Sequence, residues 1–215
     1  MKNMLIPLIS LTFLTTALIS GSADASSSNV YSQLINQGVP AKPLNVAIKA
    51  YHWAQKNGDV KKPILTLVDF TKPSNAKRLW VIDMTTGRIL FNGLVTHGKN
   101  SGLLYATRFS NQPGSDMSSL GAYTTGTIYD GEHGSSIRVQ GLEKGINDNA
   151  AKRDIVLHSA WYATPDFQAD HGYLGRSWGC FAINPDYSNK VFKTLQGGSF
   201  LFAYAPQENH DPNFS

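Results

Sequence analysis

Residues 154–184 read DIVLHSAWYATPDFQADHGYLGRSWGCFAIN. The stretch opens on Ile155, Val156 and Leu157, the aliphatic content of a buried strand, and that run delivers His158 and Ser159 at its end. It closes on Gly179 and Cys180, followed by a second short apolar run of Phe181, Ala182 and Ile183. The thiol lies 22 positions after the imidazole, and two adjacent strands are enough to bring them together. A cysteine attacks as the thiolate, so it needs a base or a positive neighbour. On this reading Cys180 is the nucleophile, His158 is its base, and the thiol is expected to be ionised near neutral pH. Gly179 has the backbone freedom to turn the N–H groups near Cys180 toward an incoming carbonyl, as an oxyanion pocket requires.

Cys180 is the single cysteine of a 215-residue chain. The first 25 residues give that count its meaning. Lys2 precedes an apolar stretch over 5–19, and small residues then end in Ala23, Asp24 and Ala25, the pattern a signal peptidase reads. The apolar run is shorter than a membrane span and is interrupted by polar residues. The expectation is export to the periplasm or cell envelope, with an uncleaved anchor as the alternative. Exported proteins use cysteines in pairs, so a single thiol is either inert and buried or reactive. The formal net charge of +4 is spread along the chain, without an arginine-rich run or basic-aromatic alternation, which argues against nucleic acid. A mild positive charge suits an anionic polymer or membrane surface.

Outward from this stretch, the pattern divides the chain. Residues 30–37 and 43–57 read as helices: Leu44, Ala47, Ile48, Tyr51 and Ala54 recur at helical spacing, and Asn57-Gly58 supplies a stop. From Pro63 the runs become short and β-rich. Strands are expected at 64–70, 79–83, 88–96, 121–127, 135–140, 155–159, 181–183 and 199–204, with a hairpin turn at Thr85-Thr86-Gly87. A helix over 186–196 ends at Gly197-Gly198. Residues 99–120, rich in Ser, Gly and Asn, read as a substrate-side loop, and the region of Asp170 and His171 reads as a mobile polar loop. The expected organisation is a signal peptide (1–25), an N-terminal helical segment (26–62), a mostly β catalytic domain with flanking helices (63–206) and a C-terminal tail (207–215).

The order His158-Ser159, a spacer, then Ser177, Trp178, Gly179 and Cys180 resembles the active-site signature of the YkuD-type L,D-transpeptidases, in the branch with tryptophan inside the cysteine motif. His97-Gly98, Phe109-Ser110-Asn111, the run 118–121, His133-Gly134 and Asn147 resemble that branch as well, so the likeness covers about 64–204. The resemblance implies an L,D-transpeptidase-like β-sandwich or barrel and a cofactor-free cysteine acyltransferase. Cys180 would form a thioester with a peptidoglycan peptide stem, which an amine then resolves. It implies that Ser159 orients the imidazole through its backbone or hydroxyl, and that a carbapenem-type β-lactam is a possible inhibitor. No obligate protein partner is evident. Arg176 is read as holding a stem carboxylate, because a guanidinium pairs with one in two prongs. Ser177, Trp178, His97 and Tyr123 complete the expected substrate face, with ordinary packing as the alternative for His97, Tyr105 and Tyr123. Two departures stand out: Trp178 occupies a position where the common motif has histidine, and no basic residue follows Cys180 closely.

Three rivals use the same residues. Residues 175–179 satisfy G-x-S-x-G, which would make Ser177 a hydrolase nucleophile, but only His210 follows and too little chain remains for such a sheet. His158, Asp166, Asp170 and His171 are possible metal ligands without a recognised spacing, and no metal is assigned. A non-catalytic cell-wall-binding module would make Cys180 a small buried residue. The acyl-enzyme could also be resolved by water, giving an L,D-carboxypeptidase or amidase.

Overall fold

Alternate burial is plainest at residues 200–204. Phe200, Phe202 and Tyr204 face one apolar layer while Leu201 and Ala203 face another, as a strand covered on both sides demands. This strand, β8 (Phe200–Tyr204), lies inside a sheet formed with β1 (Ile64–Asp69), β2 (Leu79–Asp83), β3 (Arg88–Gly93), β4 (Gly121–Gly131), β5 (Gly134–Gly141), β6 (Val156–Ser159) and β7 (Phe181–Ile183). The strand order is β3-β2-β1-β8-β4-β5-β6-β7. Neighbours run antiparallel except for the parallel pairs β1–β8 and β6–β7. This computed structural model describes residues 21–132 and 134–214. The expected leader therefore lies outside the described residues up to position 20, as does His133.

The sheet curls until its two ends meet. Beyond β3 the chain reaches β7: the Thr96 N–H donates to the Ala182 carbonyl at 3.0 Å, and the Ala182 N–H donates to Thr96 Oγ1 at 3.1 Å. One step further, Gly98 and Ser177 form a parallel bridge. Inside the curl sit Val68, Phe70, Leu79, Tyr123, Leu157 and Phe181, with α4 (Pro185–Leu195) packing Val191, Phe192 and Leu195 against them. On the outer face, α1 (Gly21–Asn36) and α2 (Ala41–Lys56) bury Leu34, Leu44, Ala47, Ala50 and Tyr51 against Leu65, Trp80, Phe200 and Phe202. The N-terminal helices are thus one layer of the same core, and Phe214 near the C-terminus joins that layer.

Most expected strands lie within a residue or two of their observed positions; β3 stops at Gly93, whereas β4 and β5 run on to a tight turn at 131–134. One expectation is overturned. The loop foreseen around Asp170 contains a helix, α3 (Pro165–His171). Thr164 Oγ1 accepts from the Phe167 N–H at 3.3 Å, Pro165 occupies the first turn, and Gly172 ends the helix at φ 79°. The capping signal was present, but the segment is too polar to show helical periodicity. Among the described residues, no helix is long and apolar enough to cross a membrane.

Because Leu44 is wholly buried between α2 and the sheet, Leu44→Ala is expected to cost about 2–5 kcal/mol. In thermal unfolding that corresponds to a fall of roughly 5–15 °C, whereas exposed Lys49→Ala should shift the midpoint little.

Candidate active site

The pleat of β6 and β7 fixes the two residues that matter most. Leu157 pairs with Phe181 and His158 with Ala182 in the parallel register. Leu157 and Phe181 enter the inner core, so His158 and Ala182 face the other way, toward Ala160, Tyr162 and Ala163. Cys180 immediately precedes β7 and packs against the inner core, beside Val156, whose N–H reaches its sulfur. Tyr162 marks the same pocket: its ring lies edge-on to His158 at 6.4 Å, and its hydroxyl is pushed up to about 12 by burial and then by the charge of Cys180.

The imidazole is held from its backbone side. Its Nδ1 lies 3.0 Å from the Ser159 carbonyl. A carbonyl only accepts, so Nδ1 carries the hydrogen and Nε2 has the lone pair in the neutral ring. Ser159 therefore orients the ring through its carbonyl rather than its hydroxyl.

The thiol departs from expectation. Burial pushes the Cys180 thiol above the ordinary cysteine value, and the nearby Asp154 carboxylate adds to this. The Val156 N–H, the Arg153 guanidinium and its own N–H pull the other way without cancelling it. The resting group is a thiol that donates to the Asp154 carbonyl at 3.5 Å, not the standing thiolate the sequence suggested. The low-dielectric pocket penalises the anion more than its partners repay.

Gly179 makes the cysteine loop possible. Its φ is +125°, and a Cβ there would lie 2.7 Å from the Met117 carbonyl oxygen and 2.8 Å from Ile155 Cδ1. Its N–H, however, donates to Ser177 Oγ at 3.1 Å, so its contribution is space and backbone freedom rather than an oxyanion donor. Ser177 in turn donates to the Cys180 carbonyl at 2.7 Å. Its hydroxyl is fully engaged in shaping the loop, which removes the hydrolase-elbow reading.

Arg153 was not foreseen. It ends a short 3-10 helix (Ala151–Arg153) just before β6 and donates to the Ser110 carbonyl at 2.7 Å, to Ser119 Oγ at 2.8 Å and to the Met117 carbonyl. It thereby ties the 99–120 loop against Gly179 and sets a positive charge near the sulfur. The one sequence signal was the pair of serine-containing motifs at 109–111 and 118–121, which supply its acceptors.

His97 and Tyr123, placed on the substrate face by the sequence, are fully buried. Arg78, itself buried, donates from Nη2 toward His97 Nδ1 at 2.8 Å, and His97 Nε2 meets the Gly102 carbonyl at 3.2 Å. The His97 carbonyl then accepts from the Ser177 N–H at 3.0 Å, so the residue supports the cysteine loop from below. Tyr123 donates to the Ser119 carbonyl at 3.1 Å within the inner core. Trp178 and Arg176 are exposed. The Lys99 ammonium, paired with Asp116 at 2.9 Å, stands 5.6 Å over the Trp178 ring, and Arg176 lies over Tyr173. His171 stacks on Phe167 at 4.0 Å on exposed α3, and His158, Asp166, Asp170 and His171 form no metal-type cluster among the described residues.

The family model for the L,D-transpeptidase catalytic domain matches residues 35–204. Among solved structures, an L,D-transpeptidase from Mycobacterium smegmatis aligns with a TM-score of 0.41 and 16% identity over 66% of this chain and 59% of its own. LdtMt1 in complex with imipenem aligns at 0.41 and 14% over 66% and 59%. An L,D-transpeptidase from Stackebrandtia nassauensis aligns at 0.38 and 18% over 84% and 78%. The chain thus spans 59% of the length of the first two structures. No curated protein matches it.

Two titrations check this description. The pH–rate profile of Cys180 with iodoacetamide should have its midpoint above that of a model thiol, and Arg153→Met should move it higher still; a midpoint below 8 would contradict the buried-thiol account. Burial, then the charge of Arg78, holds His97 down to about 4 from 6.5. An unfolded chain therefore takes up a proton that the folded one refuses, and stability falls as pH drops from 6.5 toward 4, by roughly 3 kcal/mol in all. Nitrogen NMR should show His97 neutral at pH 5.5, and His97→Gln should flatten that part of the stability profile.

Proposed function

Because the chain belongs to the L,D-transpeptidase catalytic-domain family, we propose that it is an exported, peptidoglycan-modifying cysteine acyltransferase. Cys180 is its nucleophile and His158 its general base. The observation that supports the reading is the parallel β6–β7 register, which brings the end of β6 that carries His158 alongside the strand that Cys180 leads into.

The chemistry follows from the arrangement. As Cys180 Sγ approaches the carbonyl of a peptide stem, its proton passes to His158 Nε2. Removing the proton in step with attack avoids a free thiolate, which the pocket disfavours. The oxyanion that forms meets the N–H groups of Cys180 and Val156, which already face the sulfur. Collapse breaks the carbon–nitrogen bond, the imidazolium protonates the departing amine of the terminal D-residue, and the stem remains as a thioester. An acceptor amine then attacks, gives its proton to His158 and releases the thiol, leaving a cross-link. Gly179 and Ser177 hold the loop shape, Ser159 holds the ring, Trp178 offers an exposed apolar platform for the stem, and Arg176 pairs with its carboxylate. A carbapenem-type β-lactam, a strained acyl donor, is expected to acylate the same sulfur.

Mass analysis of muropeptides after incubation with sacculi tests the proposal. The wild type should generate new cross-linked dimers. Cys180→Ala should abolish them with an unchanged unfolding midpoint, and His158→Gln should slow them by about 10²–10⁴-fold. Shortened stems without dimers would replace transfer by hydrolysis; unaltered sacculi would refute the enzyme.

A further inference from the structure

Away from Cys180, three carboxylates meet inside the protein. Glu143 follows β5, Glu208 lies in the last 3-10 helix (Pro206–His210), and Asp211 comes just after it. One oxygen of each lies within 4.8 Å of those of the other two, and all three residues are at least nine-tenths buried. Glu143 Oε1 accepts from the Ala122 N–H, and Asp211 Oδ1 accepts from the Asn213 N–H at 2.8 Å. The second oxygens of Glu143 and Glu208 are buried and have no hydrogen-bond partner among the described residues. Among the described residues no Lys or Arg pairs with any of the three; the Lys99–Asp116 pair is elsewhere.

Three like charges so close cannot all ionise without a compensating cation. Burial, then the Asp211 carboxylate, pushes Glu208 up to about 8; Glu143 reaches about 8 by burial first, with Asp211 in hydrogen-bond reach of it. A proton shared between Glu143 and Asp211 would relieve that pair but leave the Glu208 oxygen unanswered. A divalent cation satisfies all three carboxylates at once. Oxygen ligands of calcium sit about 2.3–2.6 Å from the ion, so carboxylate oxygens up to roughly 5 Å apart can share one; calcium accepts irregular all-protein carboxylate sets, whereas magnesium demands near-octahedral geometry and keeps several waters. Access is also present. A cavity of about 440 Å³, bordered by Ser110, Asn111, Ile146 and His210, is lined by Glu208 and Asp211 themselves, so water can complete the coordination. Neither Cys180 nor His158 borders it.

We propose that Glu143, Glu208 and Asp211 form a calcium-binding site that fastens the C-terminal segment to the turn after β5. Its ligands come from the turn after β5 and from positions 208 and 211, so an occupied site holds that segment against the end of the sheet. The site is independent of the thiol chemistry.

The test uses full-length protein stripped with chelator and passed through gel filtration at pH 7.5. Returning calcium chloride to millimolar concentration should leave about one calcium per chain by elemental analysis and raise the thermal midpoint by about 5–10 °C, with a smaller rise for magnesium. Glu208→Gln should abolish the calcium-dependent shift without lowering the midpoint of the stripped protein, since it removes a buried charge. Asp211→Asn serves the same purpose if that variant fails to fold. Less than a tenth of an equivalent of calcium, with no shift at millimolar calcium, would overturn the proposal in favour of the shared proton. A shift that survives in both variants would do the same.

Discussion

Parallel pairing of β6 with β7 is the constraint on which the rest of the molecule depends. These strands are only four and three residues long, and a one-residue slip would turn every side chain of β7 to the opposite face. In the observed register Leu157 and Phe181 fill the inner core together. A slip would bury Ala182 where Phe181 belongs and expose the phenyl ring. The apolar penalty therefore guards the orientation of His158 and the position of the cysteine loop, whose Cys180 packs against the same inner core. A hydrophobic pair one residue away sets the polar pair.

That register is reinforced from outside the sheet. The chain beyond β3 hydrogen-bonds to Ala182 through Thr96 and bridges Ser177 through Gly98, so β7 is not a bare edge. Arg78, buried without a carboxylate in contact, spends its donors on the Val95 and Lys72 carbonyls and on His97. Charge-assisted bonds of this kind are stronger than neutral ones, and they stiffen the segment that carries the cysteine loop. The wall opposite is Arg153, gathering Ser110, Met117 and Ser119. Two arginines, neither in the nucleophile motif, frame the loop between them.

How much of this could be read from the sequence follows from the range of each interaction. The strands and α2 were legible because apolar periodicity is local, and Cys180 and His158 stood out as candidates because a lone thiol after a His-Ser strand is chemically unusual. The sequence left the burial of His97 and Tyr123 open between packing and a cleft role: His97 precedes a glycine and Tyr123 sits in a strand, and only the closure of the sheet over them decides that they face inward. Arg153 was missed for the same reason, since its acceptors lie more than thirty positions away. The carboxylate cluster joins positions 143, 208 and 211, a spacing that no ligand motif records. α3 escaped because caps, not a periodic apolar face, define it.

The protonated state of Cys180 bears on the compartment proposed for the protein. Thiolate character, more than exposure alone, governs how fast a cysteine is oxidised. Outside the cytosol no reducing pool keeps a lone thiol safe, and a standing thiolate would drift toward sulfenic acid between encounters with substrate. A pocket that raises the thiol guards it from oxidation at rest, while the Val156 N–H and the Arg153 guanidinium stand where they would favour negative charge on the sulfur. Desolvation alone would give an inert buried cysteine, and strong cationic pairing alone a vulnerable one. With burial outweighing its partners at rest, the pocket suits the proposed nucleophile, one that loses its proton only as an acyl donor arrives.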